Sequence, residues 1–124
     1  MKQHSPQFLN LVNQAKHNIH ELSAETLKTM IDSDDELYLI DVREDHEWTT
    51  GHIPTAIHIG KGIIERDIEK TIPDSQAKIV VYCSGGFRCA LVADTLQKMG
   101  YSEVYSLDKG SQGWMDAGYK LTQS

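Results

Sequence analysis

Residues 78–82 read Lys-Ile-Val-Val-Tyr, a largely β-branched apolar run without polar alternation. A strand with one wet face alternates polar and apolar residues, so this run predicts a strand buried on both faces. Such strands belong to parallel sheets with helices packed above and below, and few architectures meet that demand. The rest of the chain supplies the matching parts. Short strands are predicted at about Ile19–Leu22, Leu37–Val42, Ala56–Ile59 and Val104–Leu107. Helical segments lie over about Ser23–Ile31, Glu44–Thr50, Ile63–Lys70, Arg88–Met99 and Gln112–Ala117, with Gly51, Gly100 and Gly118 as stops. Ser5 and Pro6 read as the N-cap and first residue of an amphipathic helix with Phe8, Leu11, Val12 and Ala15 on one face. Strands alternating with helices through short connections predict an α/β fold, three layers α/β/α around a parallel sheet.

At 124 residues the chain is long enough for one cored domain, and it shows no repeat, low-complexity tract or long linker. Residues 1–17 are read as a helical extension and 18–124 as the domain proper. A net charge of −6 argues against nucleic acid or an anionic membrane as partner. The acidic residues Asp32, Asp34, Asp35 and Glu36, and again Glu44, Asp45 and Glu47, read as solvated faces. No stretch approaches the length of an apolar membrane span. The first residues lack the apolar core of a secretion signal, and two cysteines do not make a disulfide framework. The expected compartment is the cytoplasm.

Cys83 follows the doubly buried strand directly, and Ser84, Gly85, Gly86 and Phe87 link it to a helix opening at Arg88. In parallel α/β sheets, ligands sit at the carboxyl ends of the strands. Backbone N–H groups of such a loop converge, and the helix dipole adds positive potential there. The arrangement stabilises an anion, either the Cys83 thiolate or a charge on a substrate, and Arg88 strengthens the same field. Asp41, Arg43 and Lys109 also fall at or just beyond strand carboxyl ends. Asp41 is expected to bond loop amides or pair with a basic residue rather than act as a general base. Cys89 falls on the apolar face of the helix and reads as packing rather than as a resolving thiol. The six histidines show no metal-ligand spacing, so no metal is expected.

Three fragments resemble the rhodanese family. Asp41-Val42-Arg43-Glu44 with Trp48 and His52-Ile53-Pro54 resembles its first signature. Val80-Val81-Tyr82-Cys83 with Arg88 closing the loop resembles its active-site segment, and Gly110, Gly113 and Trp114 its C-terminal motif. The match runs from about Ile19 to Leu121. It implies a rhodanese-like fold with a five-stranded parallel sheet and sulfurtransferase activity of the thiosulfate type. Cys83 would take sulfane sulfur from a small anionic donor such as thiosulfate, or from a protein persulfide. It would hold that sulfur as a persulfide and pass it to cyanide or a thiol, and the resemblance implies no organic cofactor. Ser84, Gly85, Gly86, Phe87 and Arg88 would bind the substrate, with Asp41, Arg43 and Lys109 behind them. The chain departs from the family pattern at Thr55 and Lys109, where glycine is usual, and at Trp48. The first and last of these are expected to affect packing only, while Lys109 would add a second cation near the thiol.

Two other classes compete. Cysteine phosphatases and arsenate reductases of related fold also hold a thiolate in an amide cradle, but they need a loop one residue longer to wrap a tetrahedral oxyanion. Here four residues separate Cys83 from Arg88, which favours a single sulfur. A non-catalytic docking module typically lacks the nucleophile that this chain keeps.

Overall fold

The computed structural model describes residues 4–123. Eleven elements follow one another: α1 (Pro6–Lys16), β1 (His20–Leu22), α2 (Ala24–Asp32), β2 (Tyr38–Asp41), α3 (Asp45–Thr50), β3 (Ile57–His58), α4 (Ile64–Thr71), β4 (Lys78–Tyr82), α5 (Arg88–Lys98), β5 (Glu103–Leu107) and α6 (Gly110–Asp116). The five strands form one sheet in the order β1-β5-β4-β2-β3, and every pairing is parallel. β4 is the central strand, paired with β2 through Ile40↔Val81 and with β5 through Val80↔Tyr105.

The alternation of side chains along β4 explains its composition. Ile79 and Val81 enter one core with Ile64 and Ile68 of α4 and Val92 and Leu96 of α5. Val80 and Tyr82 enter the other, with Leu27 of α2 and Trp114 of α6. Each core lies on its own face of the sheet, so no position of the strand is left for a polar residue. Among the described residues, no helix is long and apolar enough to cross a membrane.

The N-caps of α1 and α2 stand where expected, and the start of α6 does not. Ser23 caps α2 by accepting the Thr26 amide at 3.1 Å, whereas Ser5 stands at the N-cap of α1 without a side-chain capping bond. Helix α6 begins at Gly110, ahead of the expected Gln112, because its first amides turn onto the Cys83 loop. Ser111 N donates to Cys83 O at 2.8 Å and Gln112 N to Ser84 O at 3.0 Å.

Thr55 and Lys109 depart from the family's glycines, and both have positive φ, 79° and 63°. A left-handed backbone favours glycine, and a β-branched residue there is strained. The expectation that Thr55 alters packing alone is corrected: the residue is exposed and its effect falls on the backbone.

Helix α1 packs on α5 through buried Val12 and Ala15. It also reaches the Cys83 loop. The Phe87 ring lies 4.5 Å from the His4 ring and 6.4 Å from that of Phe8, with Lys16 Nζ 5.7 Å from its centroid.

Candidate active site

The carboxyl end of β4 delivers Cys83 to the centre of the sheet edge, and the turn Ser84–Phe87 folds back over it. Gly86 makes this turn feasible. Its φ is +93°, and a Cβ there would meet the Lys109 backbone nitrogen at 2.8 Å. Gly110 plays the same part from the other side, with φ +56° and a would-be Cβ 2.7 Å from the Ser84 carbonyl. Two close backbone approaches thus seat the loop on the start of α6.

Inside the loop, the Cys83 sulfur accepts the Gly86 amide at 3.2 Å and the Cys89 amide at 3.4 Å. The Cys89 sulfur lies 3.5 Å away and itself accepts the Ser106 hydroxyl at 3.1 Å. Cys83 is 1% exposed, and Cys89 and Ser106 are fully buried. The Cys83 thiol is lowered to about 6 from an ordinary value of 9.0. The Cys89 side-chain hydrogen bond is the largest cause, opposed by burial and aided by the two amides and the charge of Arg88. Cys89 moves the other way: burial first, then its bond to Cys83 and that residue's charge, hold its proton on. With Cys83 ionised, Cys89 is therefore the donor. Its reading as packing alone is corrected, because it is packed and also bonded to the neighbouring sulfur.

Arg88 is not a free cation. Its guanidinium grips Glu47 in a two-point pair, Nη1 to Oε1 at 2.8 Å and Nη2 to Oε2 at 3.0 Å, and Nη2 also donates to Ser84 Oγ at 2.7 Å. Glu47 Oε1 accepts the Glu44 amide at 3.0 Å as well. The Arg88 bond holds the Glu47 carboxyl down at about 2. Glu47 was expected on a solvated face. Glu44 and Asp45 are exposed as expected, but Glu47 turns inward to the loop. The sequence signal for it was its place three residues behind Glu44, at the start of a short helix.

Asp41 pairs with a basic residue, as expected, and that residue is Arg43. The carboxylate meets Nη2 at 2.7 Å and Nε at 3.0 and 3.1 Å, and accepts the Arg43 amide at 2.9 Å. Arg43 Nη2 also donates to Gly51 O at 2.7 Å, fastening the end of α3. Lys109 meets the loop through its backbone, against Gly86, while its side chain runs along α6 over Gly113.

Removing the Cys89 donor should raise the Cys83 thiol, since the anion loses its strongest partner. In Cys89→Ala, the midpoint of Cys83 alkylation against pH is expected about one unit above the wild-type midpoint near 6. An unmoved midpoint would assign the acidity to the two amides and the charge of Arg88.

The model of the rhodanese-like domain matches residues 23–117. "Putative sulfurtransferase YtwF" of Bacillus subtilis strain 168 is 40% identical over 96 residues, covering 77% of this chain and 90% of YtwF. "Putative sulfur carrier protein YrkF" of the same organism is 33% identical over 97 residues, and the match spans 78% of this chain but only about half of YrkF, 51%. Among solved structures, a thiosulfate sulfurtransferase from Pseudomonas aeruginosa superposes with a TM-score of 0.83 at 25% identity, over 93% of this chain and 22% of that one. RPA3614 of Rhodopseudomonas palustris, described as a protein of unknown function and possible tyrosine phosphatase, gives 0.82 at 26% identity over 98% and 99%. The five-stranded parallel sheet, the matched span and these relatives agree, and the chain belongs to the rhodanese-like domain family.

Proposed function

We propose that this protein is a sulfurtransferase of the thiosulfate type that works through a Cys83 persulfide. The Cys83 thiolate attacks the outer sulfur of thiosulfate, sulfite departs, and the persulfide passes its sulfur to cyanide or a thiol. The observation that carries this reading is the size of the cradle. Two amides and one thiol close on a single sulfur atom, and Cys83 is 1% exposed. A persulfide extends the nucleophile by about 2 Å and carries the anion outward without enlarging the loop.

The occupied Arg88 supports the same choice over a phosphatase or arsenate reductase. A planar fork that already holds Glu47 at 2.8 and 3.0 Å is not open to clamp the oxygens of a phosphate. The name of YrkF, a putative sulfur carrier protein, supports keeping a protein persulfide among the proposed donors. Retained Cys83 argues against a docking module. The two free thiols suit a reducing compartment, and we assign the protein to the cytoplasm.

Intact mass after incubation with thiosulfate tests the reading. With the neighbouring thiol removed in Cys89→Ser, the protein is expected to gain one sulfur on Cys83 and to lose it on adding cyanide. Cys83-dependent hydrolysis of an aryl phosphate, without any sulfur uptake, would replace this function with the phosphatase.

We also assign catalysis to residues 18–124 and treat residues 1–17 as an extension, one that steadies the loop through Phe87. A chain beginning at His17 is expected to keep sulfur uptake at a reduced rate and to melt at lower temperature, because Val12 and Ala15 no longer cover α5. Complete loss of uptake in a folded truncated chain would place α1 in the site itself.

A further inference from the structure

The Cys83–Cys89 pair has a use that transfer to an outside acceptor does not require. Their sulfurs lie 3.5 Å apart, and a disulfide bond is about 2.05 Å long, so side-chain rotation of less than about 2 Å joins them. No third side chain separates them, and both are shielded from water. We propose that, once Cys83 carries a sulfane sulfur, Cys89 attacks the inner sulfur and expels the outer one as sulfide. The result is sulfide release with closure of a Cys83–Cys89 disulfide. This rests on the sulfur-loading reading given above.

The step balances without an outside oxidant. Cys83–S–S⁻ and Cys89–SH become the Cys83–Cys89 disulfide and HS⁻. Cys89 supplies the electron pair of the new bond, and the departing sulfur takes the pair of the old one together with the Cys89 proton. The sulfane sulfur is reduced to sulfide as the two cysteines are oxidised to the disulfide. A dithiol reductant then reopens the pair by ordinary exchange.

Loading is what arms Cys89. In the resting site, burial, the bond to Cys83 and the Cys83 charge keep its proton in place. After sulfur uptake the negative charge sits one atom further out, and the inner sulfur becomes a neutral electrophile. Two of the three restraints on Cys89 are thereby weakened. The Ser106 hydroxyl remains, aimed at the Cys89 sulfur from 3.1 Å, to stabilise the developing thiolate.

The test uses the full-length protein, reduced and then freed of reductant, given a pulse of thiosulfate with no thiol or cyanide present. Released sulfide is trapped with a fluorescent alkylating reagent, and intact mass and a peptide map are recorded. The wild type is expected to release one sulfide per chain, lose the mass of two hydrogens and show a peptide cross-link between Cys83 and Cys89. Cys89→Ser, checked for folding by circular dichroism, should instead gain one sulfur and release no sulfide. A wild type that accumulates the same persistent persulfide as Cys89→Ser would overturn the proposal, and so would undiminished sulfide release from the variant. The wild-type cross-link, formed with one sulfide per chain and absent without thiosulfate, decides the matter even if the variant misfolds. If neither protein changes mass, the loading step is absent and both readings fall together.

Discussion

Cys83→Ser is expected to lower thiosulfate-to-cyanide transfer by roughly three orders of magnitude or more, since a hydroxyl cannot carry a persulfide. The fold should survive. Serine is close to cysteine in shape, and its hydroxyl can still meet the Gly86 and Cys89 amides that hold the sulfur at 3.2 and 3.4 Å. Equal far-ultraviolet spectra and melting within a few degrees would separate lost chemistry from lost structure. Transfer at near wild-type rate in this variant would remove Cys83 from the mechanism and leave the cradle without a role.

Asp41→Ala should produce the largest loss of stability among the residues that frame the site. Asp41 and Arg43 are 0% and 5% exposed and are joined at 2.7 Å. Deleting the carboxylate strands a buried guanidinium, which costs about 3–5 kcal/mol when one partner of a buried pair is removed. That is a large part of the total stability of a small domain. The damage reaches the site through a stated route. Arg43 also holds Gly51 O at the end of α3, and α3 carries Glu47, the partner of Arg88. Urea unfolding should show a lower midpoint with little change of slope. A loss below about 1 kcal/mol would mean that Arg43 reaches water once Asp41 is gone.

Several parts of this molecule were legible in the chain. The limits of β4 are those expected from its apolar run, and α5 starts at Arg88 as its periodicity predicts. Asp41 was expected to bond loop amides or a basic residue, and Arg43, its partner, lies only two residues away, within reach of local reasoning. Glu47 was not legible as a site residue. Its partner Arg88 lies 41 positions along the chain, and the one local signal, its place behind Glu44, marks a helix start and not a contact with the loop. The contact between α1 and Phe87 escaped for the same reason.

Periodicity and chain neighbours by themselves determined that this protein builds a doubly covered parallel sheet and sets a thiol at the end of its central run. Both are properties of short segments, because burial on two faces and the strand–loop–helix turn are written in adjacent residues. The tertiary structure alone decided the strand order, with β4 between β2 and β5. It also decided who surrounds the sulfur. The loop curls until Cys89 of the next helix lies 3.5 Å from Cys83, and Ser106 arrives from β5 to meet that second thiol. Arg88 is claimed by Glu47 from α3. Acidity and charge at a buried site depend on distances of a few ångströms between groups far apart in the chain, and only the packed sheet sets those distances.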